Sequence, residues 1–193
     1  MRTAGILLAA GAGSRFRTAG GGIKVLAEIG GRPLIERPLH ALLAAGLHET
    51  VVVLGSDADV VRERADLSGA RVLVHQGWAE GMASSLVAAL ATLPAGCDAA
   101  LVVLGDGPGL TAEAVRRVAA RIALGDAPLV GARYASGRAH PVAIHRSLWS
   151  RLPRTGEDGA RALGVTPADV DCSDLGAPGD ADTPDELDAP SSG

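Results

Sequence analysis

The run Ile6-Leu7-Leu8-Ala9-Ala10, followed at once by Gly11-Ala12-Gly13, constrains this chain more than any other stretch. Five consecutive apolar residues predict a short buried strand. The two glycines then let the backbone turn sharply and approach a ligand closely. Backbone N–H groups in such a turn can cradle phosphate oxygens. Arg15 follows with a planar fork of donors, and Lys24 adds a point charge. A strand, a glycine-rich turn and two cations outline a triphosphate site. Its candidate residues are Ala9, Ala10, Gly11, Ala12, Gly13 and Ser14 with Arg15 and Lys24. The competing dinucleotide turn, G-x-G-x-x-G, needs a third glycine and an acidic residue about 20 positions on. Here Phe16 takes the glycine's place, and the next apolar strand, Val51 to Leu54, arrives too late.

Beyond the turn, residues 25–29 read as a short extended piece, and Pro33 suits the first turn of a helix running to Ala45. Val51 to Leu54 predicts a second buried strand, Asp57 to Arg64 a helix and Arg71 to His75 a third strand. Strand, helix, strand, helix, strand implies a mostly parallel sheet. Ala99 to Leu104 is the most apolar run and predicts the central strand. A helix capped by Thr111, a strand from Leu129 to Arg133 and a short helix from Leu148 to Leu152 complete the pattern.

The 193 residues suit one domain, spanning 1–188, with residues 189–193 expected to be a disordered tail. Aromatic residues make up 2%, so the core must be built from Ala, Val, Leu and Ile. A net charge of −4 argues against a nucleic-acid partner. Cys97 and Cys172 show neither metal-ligand spacing nor a disulfide framework and read as small buried residues. The chain enters its first strand without a leader, and no apolar run is long enough for a bilayer. It is expected to be soluble and cytoplasmic, with no membrane contact.

Further candidates lie along the chain. Gly81 and Met82 lead into a helix from Ala83 to Leu93 with Ser84 and Ser85 in its first turn. Hydroxyls there either cap the helix or meet an anion. Asp106 ends the most apolar strand, at the edge where open α/β sheets bind ligands. It reads either as a turn residue or as a hard-oxygen ligand for Mg²⁺. Asp180 and Asp182 alternate, so an extended strand would point both to one side, toward a cation or toward water. His140 reads as a binding donor, a structural residue or a base.

Leu8-Ala9-Ala10-Gly11-x-Gly13-x-Arg15, then Lys24 and Gly31-Arg32-Pro33-Leu34, resembles the signature of the nucleotidyltransferases. Within them it is most similar to the molybdenum cofactor cytidylyltransferases and their guanylyl relatives. The resemblance continues through Gly105-Asp106-Gly107-Pro108, Pro141-Val142, Gly156-Glu157-Asp158-Gly159-Ala160-Arg161 and Asp180-Ala181-Asp182-Thr183-Pro184. It implies a single three-layer α/β/α domain with a mostly parallel sheet, Rossmann-like in the nucleotidyltransferase manner. It also implies NMP transfer from an NTP to an acceptor phosphate of a molybdopterin-type cofactor, with release of pyrophosphate. Arg15, Lys24 and Asp106 would be catalytic. Gly81, Met82, Ser84 and Ser85 would join the glycine-rich turn around the nucleotide. His140 and Arg161 would face the acceptor, and Asp106 with Asp180 or Asp182 would hold Mg²⁺. Ala10, where the guanylyl branch has glycine, tilts the nucleotide from GTP toward CTP. The implied partners are that NTP, the acceptor, and transiently a molybdoenzyme or its chaperone. The chain departs from the family pattern in the inserted residues 17–22, in His75-Gln76 for Asn, in Gly107 for Met or Gln, and in Glu157 for Asp. Other acceptors, a nucleotide-binding module without turnover and an NAD(P)-dependent oxidoreductase are the alternatives.

Overall fold

The computed structural model describes residues 1–179. Strand β1 (Thr3–Ala9) is buried along nearly its whole length and lies inside the sheet between β4 (Glu49–Leu54) and β6 (Ala99–Leu104), parallel to both. Outside β4 comes β5 (Arg71–Val74), again parallel. On the other side β8 (Gly137–His145) pairs antiparallel with β6 and β7 (Leu129–Tyr134), and β9 (Ala168–Asp171) closes the order β5-β4-β1-β6-β8-β7-β9. Four of the six pairings are parallel, so the expected fold class holds, with β8 as the antiparallel member.

Alternation along the strands builds two cores. Leu7, Val52, Leu54, Leu101 and Val103 point to the face covered by α2 (Glu36–Ala44), α3 (Ala58–Arg64) and α5 (Ala112–Ala123). Ile6, Leu8, Val51, Val53 and Val102 point to the face covered by α4 (Met82–Ala91). Thr111 caps α5 as expected, its hydroxyl accepting from the Ala114 amide. Both cysteines are buried, and burial pushes both thiols up. Among the described residues no helix is long and apolar enough to cross a membrane.

The connection after β1 differs from the expectation. The piece read as extended over residues 25–29 is a 3-10 turn, Lys24–Leu26, followed by a two-residue strand β2 (Glu28–Ile29). Pro33 is not in a helix: it belongs to β3 (Arg32–Pro33), which forms a hairpin with β2 through Gly30 and Gly31, both at positive φ. The hairpin holds the donors and acceptors of this stretch, so α2 starts only at Glu36. Residues Arg146–Arg151 are likewise a 3-10 segment rather than an α-helix. Residues 17–22 close compactly on the five-residue α1 (Ser14–Thr18): Gly21 donates to the Phe16 carbonyl, and the buried Phe16 ring lies against Gly21.

The chain runs outward from β1 to β4 and β5, then returns to place β6 on β1's other flank. The carboxyl ends of β1 and β6 therefore frame the switch point at which such sheets bind ligands. Gly55, just past β4, is packed so tightly there that a Cβ would lie 2.3 Å from the Ala10 carbonyl oxygen and 2.7 Å from Trp78 Cβ. Gly55→Ala should cost about 2 kcal/mol, the order of an overpacked core site. Gly22→Ala, whose Cβ meets nothing within 4 Å, should leave urea unfolding unchanged.

Candidate active site

Gly13 takes a left-handed conformation (φ 59°, ψ 41°) and begins α1. That bend carries residues 10–13 across the end of β1, over a cavity of about 350 Å³. Ala9, Ala10, Gly11, Ala12 and Gly13 line one side of it. Lys24 and Asp106 line another, and Gly81, Met82 and Ser85 complete it. Three predicted nucleotide residues are not in the wall. Ser14 and Arg15 are exposed on α1. Ser84 is turned inward, its hydroxyl 2.8 Å from the Gly81 carbonyl oxygen, 3.0 Å from that of Gly77 and 3.1 Å from His75 Nε2. Its single hydroxyl proton goes to one of these carbonyls, which stabilises the bend before α4.

The decisive contact joins residues 82 positions apart. Lys24 Nζ lies 2.6 Å from Asp106 Oδ2, with the side chains only 11% and 25% exposed. The second carboxylate oxygen, Asp106 Oδ1, is buried and has no hydrogen-bond partner among the described residues. Leaving a charged acceptor unpartnered away from water is costly. A carboxylate in that state is suited to a hard cation, which takes one or two such ligands and fills its shell with water and phosphate oxygens. Among the described residues no group of three or more His, Cys, Asp or Glu could hold a metal. Asp180 and Asp182 lie outside the described residues, as does the expected tail 189–193. The last described segment nevertheless comes to this edge: Gly109 donates to the Pro178 carbonyl at 2.8 Å, and Pro178 packs against Gly107.

A second cavity of about 760 Å³ adjoins the first. His140, Arg138 and Arg161 lie in its wall beside apolar residues such as Val102, Val142 and Leu86. His140 Nδ1 is 3.1 Å from the Val102 carbonyl oxygen, so that nitrogen carries the proton and donates. Met82 and Glu157 border both cavities. Glu157 Oε2 accepts from the Met82 amide at 3.3 Å, and the Gly156 carbonyl accepts from the Ala83 amide at 2.9 Å. The segment at Gly156 is thereby fixed to the start of α4.

Residues 5–169 match the MobA-like NTP transferase domain. The chain belongs to this family. The nicotine blue oxidoreductase of Paenarthrobacter nicotinovorans is 37% identical over 196 aligned positions, covering 95% of this chain and 93% of that protein. The crystal structure of Rv0371c from Mycobacterium tuberculosis H37Rv shares its fold with a TM-score of 0.80 and 29% identity, covering 98% of this chain and 99% of that one. A structure of Rv0371c in complex with manganese gives a TM-score of 0.72 at 24% identity, over 89% and 88% of the two chains.

The segment leading to α4 also brings Trp78 and Ala79 to the smaller cavity; roles not foreseen from sequence fall to Glu157, between the two cavities, and to the pair Arg17 and Asp57. Arg17 Nε donates to the Ala12 carbonyl at 2.8 Å, and its Nη2 donates to Asp57 Oδ2. Burial raises the Asp57 carboxyl, but the Ser56 hydroxyl and the Arg17 guanidinium outweigh it and hold it below the ordinary carboxylate range.

The two loop glycines should behave differently. A Cβ on Gly13 would lie 2.9 Å from Lys24 Cβ on a backbone unsuited to it, whereas a Cβ on Gly11 meets nothing within 4 Å. Gly13→Ala should cost about 1–2 kcal/mol in thermal unfolding. Gly11→Ala should unfold as wild type yet bind an NTP about tenfold more weakly in calorimetric titration, the equivalent of 1.4 kcal/mol.

Proposed function

We propose that this NTP transferase moves CMP from CTP to the phosphate of a molybdopterin-type acceptor. The observation that carries the reading is the Lys24–Asp106 pair, set against the glycine-rich loop with one carboxylate oxygen unpartnered. Amides of residues 11–13 bind the phosphates, and Lys24 neutralises the charge gathering on the departing pyrophosphate. Arg15 stands at the loop as a second cation that reaches the nucleotide once it is bound. Asp106, with Asp180 or Asp182, would hold Mg²⁺, which would supply charge to offset the phosphates and a template for the reacting oxygens. The Rv0371c complex with manganese supports a divalent ion at a site of this fold.

The acceptor enters the larger cavity. Its apolar wall suits a flat ring system, and Arg161 on the rim suits a phosphate. His140 donates to a backbone carbonyl through Nδ1, which fixes the ring in the wall of this cavity, where it serves as a binding group. An acceptor phosphate is already ionised at neutral pH and needs no base. Catalysis then rests on positioning and charge, as in phosphoryl transfer generally. Ala10, in the floor under the loop, is the residue on which the preference for CTP rests.

A second reading is favoured by one specific observation, the similarity over nearly the whole chain to a protein named nicotine blue oxidoreductase. On that reading the same loop would hold a reduced nicotinamide dinucleotide. Phe16 is buried in the loop where a third glycine would stand, which speaks for the triphosphate.

Two assays separate the readings. Pyrophosphate release, followed with each of the four NTPs and a molybdopterin acceptor, should give the highest kcat/KM with CTP; an equal or higher value with GTP would reject the base assignment. Consumption of NADH or NADPH with an oxidising dye, in the absence of any NTP, would instead support the oxidoreductase. Lys24→Ala should lower turnover about 10²-fold or more, as loss of a preorganised charge donor does. Asp106→Asn should abolish divalent-ion-dependent turnover while circular dichroism stays that of wild type.

A further inference from the structure

The glycine-rich loop is held from outside by a contact that none of the foregoing assigns a purpose. Arg17 lies within residues 17–22, the part of the loop that departs from the family pattern. Its guanidinium spans two partners: Nε donates to the Ala12 carbonyl at 2.8 Å, and Nη2 to the Asp57 carboxylate. Asp57 is fixed in turn by the Ser56 hydroxyl at 2.6 Å, and the Ser56 amide donates to the Ala10 carbonyl at 3.3 Å. The bend after β4 thus grips the bend after β1 at two successive points, Ala10 and Ala12.

In a trans peptide the carbonyl and the next amide point in opposite directions. Pinning the Ala12 carbonyl outward therefore turns the Gly13 amide away from Arg17. A glycine has little intrinsic preference to hold that plane, because either sign of φ is open to it. The grip is also a poor source of stability. The Arg17 side chain is 41% exposed, and exposed ion pairs contribute little to folding. What it fixes is geometry.

We propose that Arg17 and Asp57 are positioning residues that latch the Ala12–Gly13 peptide with its amide toward the nucleotide phosphates. This rests on the smaller cavity being the NTP site. The latch organises the cradle before the nucleotide arrives, so its loss is felt in affinity and not in fold stability. The lowered Asp57 carboxyl keeps the acceptor ionised through the neutral range.

The test combines CTP titration in the presence of Mg²⁺ with hydrogen exchange on the unliganded protein. Arg17→Ala and Asp57→Asn should each weaken CTP at least about tenfold, with the thermal midpoint kept and the double variant no worse than either single one. Arg17→Lys keeps the charge but loses the fork and should not restore affinity. The amides of residues 11–13 should exchange faster in both single variants. Wild-type affinity in Arg17→Ala, rescue by lysine, or additive losses in the double variant would overturn the latch. If wild type itself binds no NTP, the function assigned above fails, and the exchange data still decide the latch: unchanged exchange refutes it, faster exchange upholds it.

Discussion

A carboxylate with one oxygen buried and unpartnered among the described residues is an expensive thing to build, and Asp106 is held in that state by the fold itself. Its backbone follows β6, which is locked parallel to β1 over the register Thr3–Ala99 to Leu8–Leu104. Gly105 donates to the Leu8 carbonyl at 2.8 Å, tying the turn that carries Asp106 to the strand that carries the glycine-rich loop. Lys24 reaches the carboxylate from the far end of that loop. The position of this buried acceptor is therefore set by strand pairing, and the cation is brought to it by the chain between β1 and α2. Such preorganisation keeps a site ready for charge that will be delivered by a ligand.

The sequence was legible where one residue type in one place has few physical uses. An apolar run ending in Gly-x-Gly could hardly be other than a buried strand and a tight turn, and the glycines, Lys24 and Asp106 do meet around one cavity. The two-faced core followed from alternation in runs such as Val51–Leu54. Legibility failed where a side chain's choice of partner decides. Pro33 fits a helix start and an edge of a hairpin equally well, and Gly30-Gly31 settled it for the hairpin. Ser84 and Ser85 are adjacent and alike, yet only the helical phase puts Ser85 in the cavity and Ser84 against the Gly77 and Gly81 carbonyls. Arg17 and Asp57 are 40 residues apart, and nothing in either neighbourhood announces the other. Arg15 carries the family signature but is exposed on α1 and does not line the smaller cavity.

Membership of one family does not decide chemistry here. A relative named for oxidation shares nearly the entire length, while the fold is that of nucleotidyl transfer. A glycine-rich turn after the first strand serves any pyrophosphate, whether it belongs to an NTP or to a dinucleotide. What distinguishes the two uses is the charge inventory around the phosphates. A dinucleotide's phosphates stay intact and need only amides and a helix end. A triphosphate that must be cleaved needs mobile charge matched by fixed cations and a ligand for a divalent ion. Lys24 and the half-satisfied Asp106 belong to the second inventory.

The wall between the two cavities completes the argument. Leu8, Met82, Leu104 and Glu157 line both cavities, and Glu157 accepts from the first amide of α4 at 3.3 Å. On the proposed function this carboxylate would stand between nucleotide and acceptor, where two anionic substrates would have to meet. Repulsion of that kind has to be offset locally, since charge a Debye length away is largely screened. Arg138 in the same cavity is engaged through Nη2 by Asp169 at 2.9 Å, whereas Arg161 in its wall is exposed and, on the proposed function, would receive acceptor charge. The same Gly-Ala-Arg segment that supplies Arg161 also carries Glu157 four residues earlier, so docking this segment on α4 sets both charges at once. The spacing between Glu157 and Arg161 is thus fixed by one short stretch of backbone, and on the proposed function a phosphorylated acceptor would be read by that stretch rather than by the sheet beneath it.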